Sequence, residues 1–175
     1  WPGGLFASPA FLGTRPGGAY AAAWAAIQAN GIEGYTNLAK STIETAEKLK
    51  KGISEIGCLE IIGDPKVSLF AYRSTDKDVN IFALGDVMEE KGWHIDRIQR
   101  PDALHAMVTA SHDKVVEEYL KDLKESIEYV RQHPELADSG QAATYGLVSH
   151  LPLRGMVRKQ VLDIFADSYK LSAEE

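Results

Sequence analysis

The spacing of apolar residues changes period repeatedly between residues 35 and 130, and the order of those changes restricts the fold more than any other feature. Tyr35, Leu38, Ala39, Thr42, Ile43, Ala46, Leu49, Ile53 and Ile56 recur at helical steps with Lys and Glu between them, which predicts an amphipathic helix stopped by Gly57. The period then shortens. Leu59–Ile62 is a short apolar run, Gly63-Asp64-Pro65 has turn chemistry, and Val67–Tyr72 is rich in strand formers. Asn80 is placed to cap a helix through Ile81, Leu84, Val87 and Met88, with Gly92 as its stop. Trp93–Ile98 and Leu104–Thr109 read as two strands joined across Arg100-Pro101-Asp102. Ser111 is placed to cap a further helix whose apolar face is Val115, Val116, Tyr119, Leu120, Leu123, Ile127 and Val130. The resulting β-β-α-β-β-α order predicts an α+β unit, a small sheet with helices on one face.

The flanks read differently. Residues 1–18 contain five glycines and three prolines, which suits a structured arm and not a regular element. The arm is also apolar (Trp1, Leu5, Phe6, Phe11, Leu12), so it is expected to pack against something. Ala19–Ala29 reads as a helix ending near Asn30-Gly31, with small side chains suited to close packing on both sides. Residues 134–155 read as a loop around Pro134, Gly140, Pro152 and Gly155, followed by a last amphipathic helix over about Met156–Tyr169. No internal repeat or low-complexity tract occurs.

Composition excludes several classes. At 175 residues the chain is one domain or a piece of a larger one, and the start at Trp1 suggests the C-terminal part of a longer polypeptide. A hydrophobic share of 45% excludes wholesale disorder. A net charge of −6 argues against nonspecific nucleic-acid binding and against a polybasic membrane patch. Cys58 is the single cysteine, so neither an internal disulfide framework nor a Cys-rich zinc site can form, and a reducing compartment is the simpler setting. No apolar run approaches the roughly 18 residues a transmembrane helix needs.

The strongest local chemistry lies in Gly13-Thr14-Arg15-Pro16-Gly17-Gly18, directly before the Ala-rich helix. Glycines let backbone N–H groups approach a ligand, and a helix N-terminus favours an anion. Thr14 adds a hydroxyl, and Arg15 adds a fork that matches carboxylate or phosphate. The alternative is a tight turn with Arg15 in a structural salt bridge. The spacing is neither that of a Walker loop nor that of a dinucleotide fingerprint. The five histidines (His94, His105, His112, His133, His150) show no metal-ligand spacing; His105 reads as structural, and His112 and His133 as solvated. Ser8 lacks a nucleophile elbow, Cys58 reads as a small core residue, and the helix carboxylates Glu117, Glu118, Asp122 and Glu125 read as a solvated face. Within Gln141-Ala142-Ala143-Thr144-Tyr145-Gly146, Tyr145 either reaches into a pocket or packs on the domain surface; both readings stay open.

An ordered set of motifs resembles the sphingosine-1-phosphate lyase family. It comprises Gly3-Gly4-Leu5-Phe6-Ala7-Ser8-Pro9, Gly13-Thr14-Arg15-Pro16-Gly17-Gly18, Gly31-x-x-Gly34-Tyr35, Gly63-Asp64-Pro65, Lys91-Gly92-Trp93, Arg100-Pro101 to His105, and Tyr145-Gly146. Each motif alone is weak; their order and spacing across nearly the whole chain are specific. The resemblance implies an α/β enzyme of the aspartate-aminotransferase type (fold type I), dependent on pyridoxal 5′-phosphate and related to the group II amino-acid decarboxylases. It further implies a homodimer with active sites at the subunit interface. The implied reaction splits a phosphorylated long-chain base into a fatty aldehyde and phosphoethanolamine.

On that resemblance, residues 1–34 are an arm and helix at the end of the large domain, and 35–175 form the small C-terminal α+β domain with a terminal loop and helix. The family's cofactor lysine lies upstream in a His-Lys segment; no such pair occurs among the twelve lysines here, so no catalytic residue is expected in this chain and the fragment alone should be inactive. Gly13 and Thr14 match positions that hold the cofactor phosphate of the neighbouring subunit. Phe6 stands where relatives carry Tyr, so its ring lines the substrate site without a hydroxyl. Arg15 and Tyr145 are the other expected substrate-side residues, Tyr145 near the entrance and Arg15 with a partly structural role. No metal is expected. The implied setting is cytoplasmic, or the cytosolic face of a membrane if an upstream anchor exists. The rival readings are a related pyridoxal-phosphate amino-acid decarboxylase and a stand-alone interaction module without catalysis, to which the apolar arm would lend itself.

Overall fold

The computed structural model describes residues 16–150 and 154–168. Helix α1 spans Gly17–Ser54 but is broken at Gly31, whose backbone (φ 58°, ψ −170°) is one that a Cβ disfavours. Nothing lies within 4 Å of where a Cβ would stand, so conformation and not space requires the glycine. The Asn30 amide closes the first half by donating to the Ala26 carbonyl at 2.8 Å. The stop at Asn30-Gly31 therefore falls where expected. The two halves differ in surroundings. Thr45, Ala46, Leu49 and Ile53 of the second half are buried, whereas Tyr20, Trp24, Ile27 and Ile32 stand exposed on or just after the first.

Four strands follow the predicted order: β1 (Leu59–Ile61), β2 (Leu69–Ser74), β3 (Asp96–Ile98) and β4 (Ala103–Met107). They form one antiparallel sheet ordered β1-β2-β4-β3. Ile61 pairs with Tyr72, Tyr72 with Leu104, and Leu104 with Arg97, so these four side chains share a face. That face is the inner one, since Tyr72, Leu104 and Arg97 are all buried. Helices α2 (Ile81–Glu90) and α3 (Val116–Gln132) join the second half of α1 on it, with Phe82, Leu84, Met88, Leu123 and Ile127 completing the core. The α+β unit with helices on one face is thus present. Asn80 caps α2, its side-chain oxygen accepting from the backbone N–H of Phe82 at 2.9 Å and of Ala83 at 3.0 Å.

Several boundaries depart from expectation. The strand read from Trp93 begins only at Asp96. Trp93 instead packs edge-on to Tyr119 at 5.1 Å and donates from Nε1 to Asp122 at 2.8 Å. Thr109, not Ser111, opens the next helical stretch. His112 Nδ1 accepts from the Thr109 N–H at 2.9 Å, and a 3-10 segment (Ala110–Val115) precedes α3. The largest difference lies in the stretch read as a loop from 134 to 155. It holds a 3-10 segment (Pro134–Asp138), helix α4 (Gly140–His150) and the start of α5 (Arg154–Ser168). Pro134 is tolerated because it sits at the start of its segment, where its missing N–H has no partner to lose. Gly140, at φ 59°, turns the chain into α4. Cys58 is half-buried against the core, and burial pushes its thiol pKa up, as befits an unreactive packing residue.

Candidate functional site at the start of helix α4

Four of the five residues expected to meet cofactor or substrate, Phe6, Gly13, Thr14 and Arg15, lie outside the described residues, as does Ser8. Tyr145 is described. It stands on α4, half-buried, with its ring 5.6 Å from that of Phe82. The Arg97 guanidinium lies 5.8 Å from its centroid on another side. Its carbonyl accepts from Gln99 Nε2 at 3.0 Å. The ring is thus packed, while the residue keeps partial exposure.

The polar centre beneath Tyr145 was not singled out by sequence. Ile95, Arg97 and Gln99 alternate along β3 and its flanks with their side chains on the core side, and all three are buried. Arg97, with a side chain only 2% exposed, therefore carries a charge into the core. Asp86 and Glu89, one turn apart on α2, supply the counter-charge. Arg97 donates to Asp86 Oδ1 at 2.5 Å, to Glu89 Oε1 at 2.8 Å and to Glu89 Oε2 at 3.1 Å. Burial alone would lower the Arg97 pKa; hydrogen bonds and charge from Glu89 and Asp86 outweigh it and raise the value above the usual range. The carboxylates also hold α4. Asp86 Oδ2 accepts from the Ala142 N–H at 2.9 Å, and Glu89 Oε2 accepts from Gln141 Nε2 at 3.0 Å. Asp86 Oδ2 would lie 2.8 Å from a Cβ at position 140, so Gly140 is needed for close approach as well as for its φ. The readable signal was the period-2 alternation that sets Arg97 on the same face as Ile95.

The remaining polar residues do not converge on a reaction centre. His105 Nδ1 lies 3.8 Å from Asp96 Oδ2. His133 stacks on Tyr129 at 4.1 Å. Among the described residues, no group of three or more His, Cys, Asp or Glu side chains could hold a metal, and no helix is long and apolar enough to cross a membrane. A Schiff base with pyridoxal phosphate requires an amine that readily loses its proton. Lys91 is held by Glu125 at 2.8 Å and Asp122 at 3.1 Å, and these contacts raise its pKa. Lys48 is raised likewise by Asp113. Lys50, the best shielded, donates to Glu47 at 2.5 Å and to the Pro65 carbonyl at 2.7 Å. Lys91, Lys48 and Lys50 are thus each engaged by a carboxylate.

A small antiparallel sheet with helices on one face, following a long broken helix, is the C-terminal architecture of fold type I pyridoxal-phosphate enzymes. A glutamate decarboxylase from Lactobacillus brevis shares it at a TM-score of 0.57 and 22% identity, over 62% of this chain and 27% of that one. Within that class the chain corresponds to the C-terminal portion of sphingosine-1-phosphate lyases. It is 41% identical to the enzyme of Oryza sativa over 163 residues, 93% of this chain and 30% of the relative. The structure of the lyase from Burkholderia pseudomallei matches at a TM-score of 0.64 and 33% identity, over 94% of this chain and 33% of that one. This chain thus spans about a third or less of the length of those relatives. No protein-family model matches it.

Proposed function

We propose that this chain is the C-terminal part of a pyridoxal-phosphate-dependent lyase that cleaves a phosphorylated long-chain base into a fatty aldehyde and phosphoethanolamine. The bond broken is Cα–Cβ, in a retro-aldol sense. The observation that carries the reading is the agreement of 41% sequence identity to a plant sphingosine-1-phosphate lyase with a shared fold at 33% identity to a bacterial one. The cofactor lysine is assigned to the polypeptide upstream of these residues, in keeping with the carboxylate-held lysines described above.

In this reading residues 1–34 close the large domain and 35–175 form the small one. The break at Gly31 supports a boundary there, while side chains along α1 become buried only further on, from Thr45. Gly13 and Thr14 serve the cofactor phosphate of the partner subunit in a homodimer, and Phe6, Arg15 and Tyr145 face the substrate. The assembly works in the cytoplasm or on a cytosolic membrane face. Product analysis tests the reaction. The complete polypeptide, given pyridoxal phosphate and a phosphorylated long-chain base, should release aldehyde and phosphoethanolamine in equal amounts. Carbon dioxide from an amino acid instead would mark a decarboxylase, and no turnover of either substrate would favour an interaction module.

A further inference from the structure

We propose that Arg97 is a positioning residue that fixes Tyr145 at the wall of the substrate path; the placement of Tyr145 on that path rests on the function proposed above. Of the described side chains of α4 only Ala142 is fully buried, so apolar packing gives the helix a modest hold. Polar contacts supply the rest, and two of them trace to one guanidinium. Arg97 binds Asp86 and Glu89. Each carboxylate then grips the first turn of α4, Asp86 through the Ala142 N–H and Glu89 through the Gln141 side chain. Arg97 also lies against the Tyr145 ring at 5.8 Å. Gln99, on the same side of the chain two residues on, fixes the Tyr145 carbonyl.

The geometry goes beyond joining α4 to the core. A weld needs contacts to the helix backbone alone, and Asp86 and Gln99 provide them. The guanidinium adds a contact to the Tyr145 ring itself, which together with the Phe82 ring at 5.6 Å sets where the aromatic stands and leaves part of the residue exposed. Buried charge makes the arrangement stiff, because an uncompensated carboxylate in this location is unfavourable.

The test uses the complete polypeptide with bound pyridoxal phosphate and a phosphorylated long-chain base. Arg97→Met should speed hydrogen exchange of the 143–146 amides about tenfold or more, while the 123–130 amides of α3 stay unchanged. It should raise KM about tenfold and leave kcat within about twofold. In a Tyr145→Ala background, Arg97→Met should raise KM no further, because its effect passes through the missing ring. An equal rise in both backgrounds would overturn the proposal, as would unchanged exchange at 143–146. If Tyr145→Ala alone leaves KM where it was, the substrate-facing reading of Tyr145 fails, and exchange at 143–146 still decides whether Arg97 positions the residue. Should Arg97→Met not fold, Arg97→Lys keeps a charge for Asp86 and Glu89 but withdraws the planar fork from the Tyr145 ring, and the same two readouts apply with the same outcomes.

Discussion

Tyr72 and Tyr119 meet hydroxyl to hydroxyl at 2.5 Å, with Tyr72 wholly buried, and the pair yields a sharp energetic prediction. Changing Tyr72 to Phe leaves the ring in place but strips the Tyr119 hydroxyl of its partner. An unsatisfied buried hydroxyl costs about 1–3 kcal/mol, whereas removing both partners at constant shape is close to neutral. Tyr72→Phe and Tyr119→Phe should thus each destabilise the chain by about 1–3 kcal/mol, and the double variant should lie within about 1 kcal/mol of the parent. Urea unfolding, followed by circular dichroism and by tryptophan fluorescence, measures all four corners of the cycle. The pair also predicts a pH dependence. Burial pushes the Tyr119 pKa up to about 12, and burial, then the neighbouring Tyr119, push Tyr72 well above its ordinary value. Unfolded phenols ionise near pH 10. The native state thus keeps protons that the unfolded state releases, so this stabilisation is complete below about pH 10 and is lost as pH rises through about 12. The double variant should flatten that alkaline loss. Strictly additive single effects, or an alkaline slope unchanged by removing both hydroxyls, would refute the reasoning.

Other perturbations probe different links. A Cβ on Gly52 would stand 2.3 Å from Leu120 Cδ1, so Gly52→Ala should lose about 1–3 kcal/mol to overpacking against a gain of about 1 in helix propensity; adding Leu120→Ala should remove the clash, and the denaturation midpoints decide. Gly31→Ala should destabilise the junction in α1 although the space there is open, and faster hydrogen exchange around residue 31 should report it. Thr14→Val should weaken cofactor affinity about ten- to a hundredfold, the range set by about 1.5–3 kcal/mol for a hydrogen bond to a charged group. In a mixed dimer with a subunit lacking the cofactor lysine, the one lysine-bearing site draws Thr14 from the other subunit and should keep near-normal affinity; affinity as weak as in the mutant homodimer would place the contact within one subunit.

Much of the fold was legible wherever local chemistry decides it. Asn80 capping α2, the break at Gly31 and the succession of strands and helices from β1 to α3 all rest on neighbouring residues and came out as read. The sheet order β1-β2-β4-β3 was not readable, because pairing of β2 with β4 joins residues some 30 apart and depends on which faces the helices cover. Trp93 was read into a strand on β-propensity, but its indole finds a partner in Asp122 only once α3 is in place. Helix α4 was missed because Pro134 precedes it and Gly140 opens it without interrupting it, and its only described core residue is the small Ala142. The Arg97 centre shows the same limit. Alternation would set Arg97 on the side of Ile95, but that was not read, and its partners Asp86 and Glu89 occupy ordinary polar positions of an amphipathic helix until α2 packs over β3. Tyr145 was legible as a candidate from its small-residue neighbours and from the ordered motifs; what fixes it is tertiary.

The central claim divides the labour of one enzyme: this chain furnishes the small domain and the partner-facing arm, and the cofactor is bound covalently elsewhere. Borohydride reduction of the complete polypeptide with pyridoxal phosphate, followed by peptide mapping, tests it most directly. The account predicts one reduced pyridoxyl-lysine per subunit, on a peptide upstream of Trp1. Stoichiometric labelling of any of the twelve lysines in this sequence would contradict it.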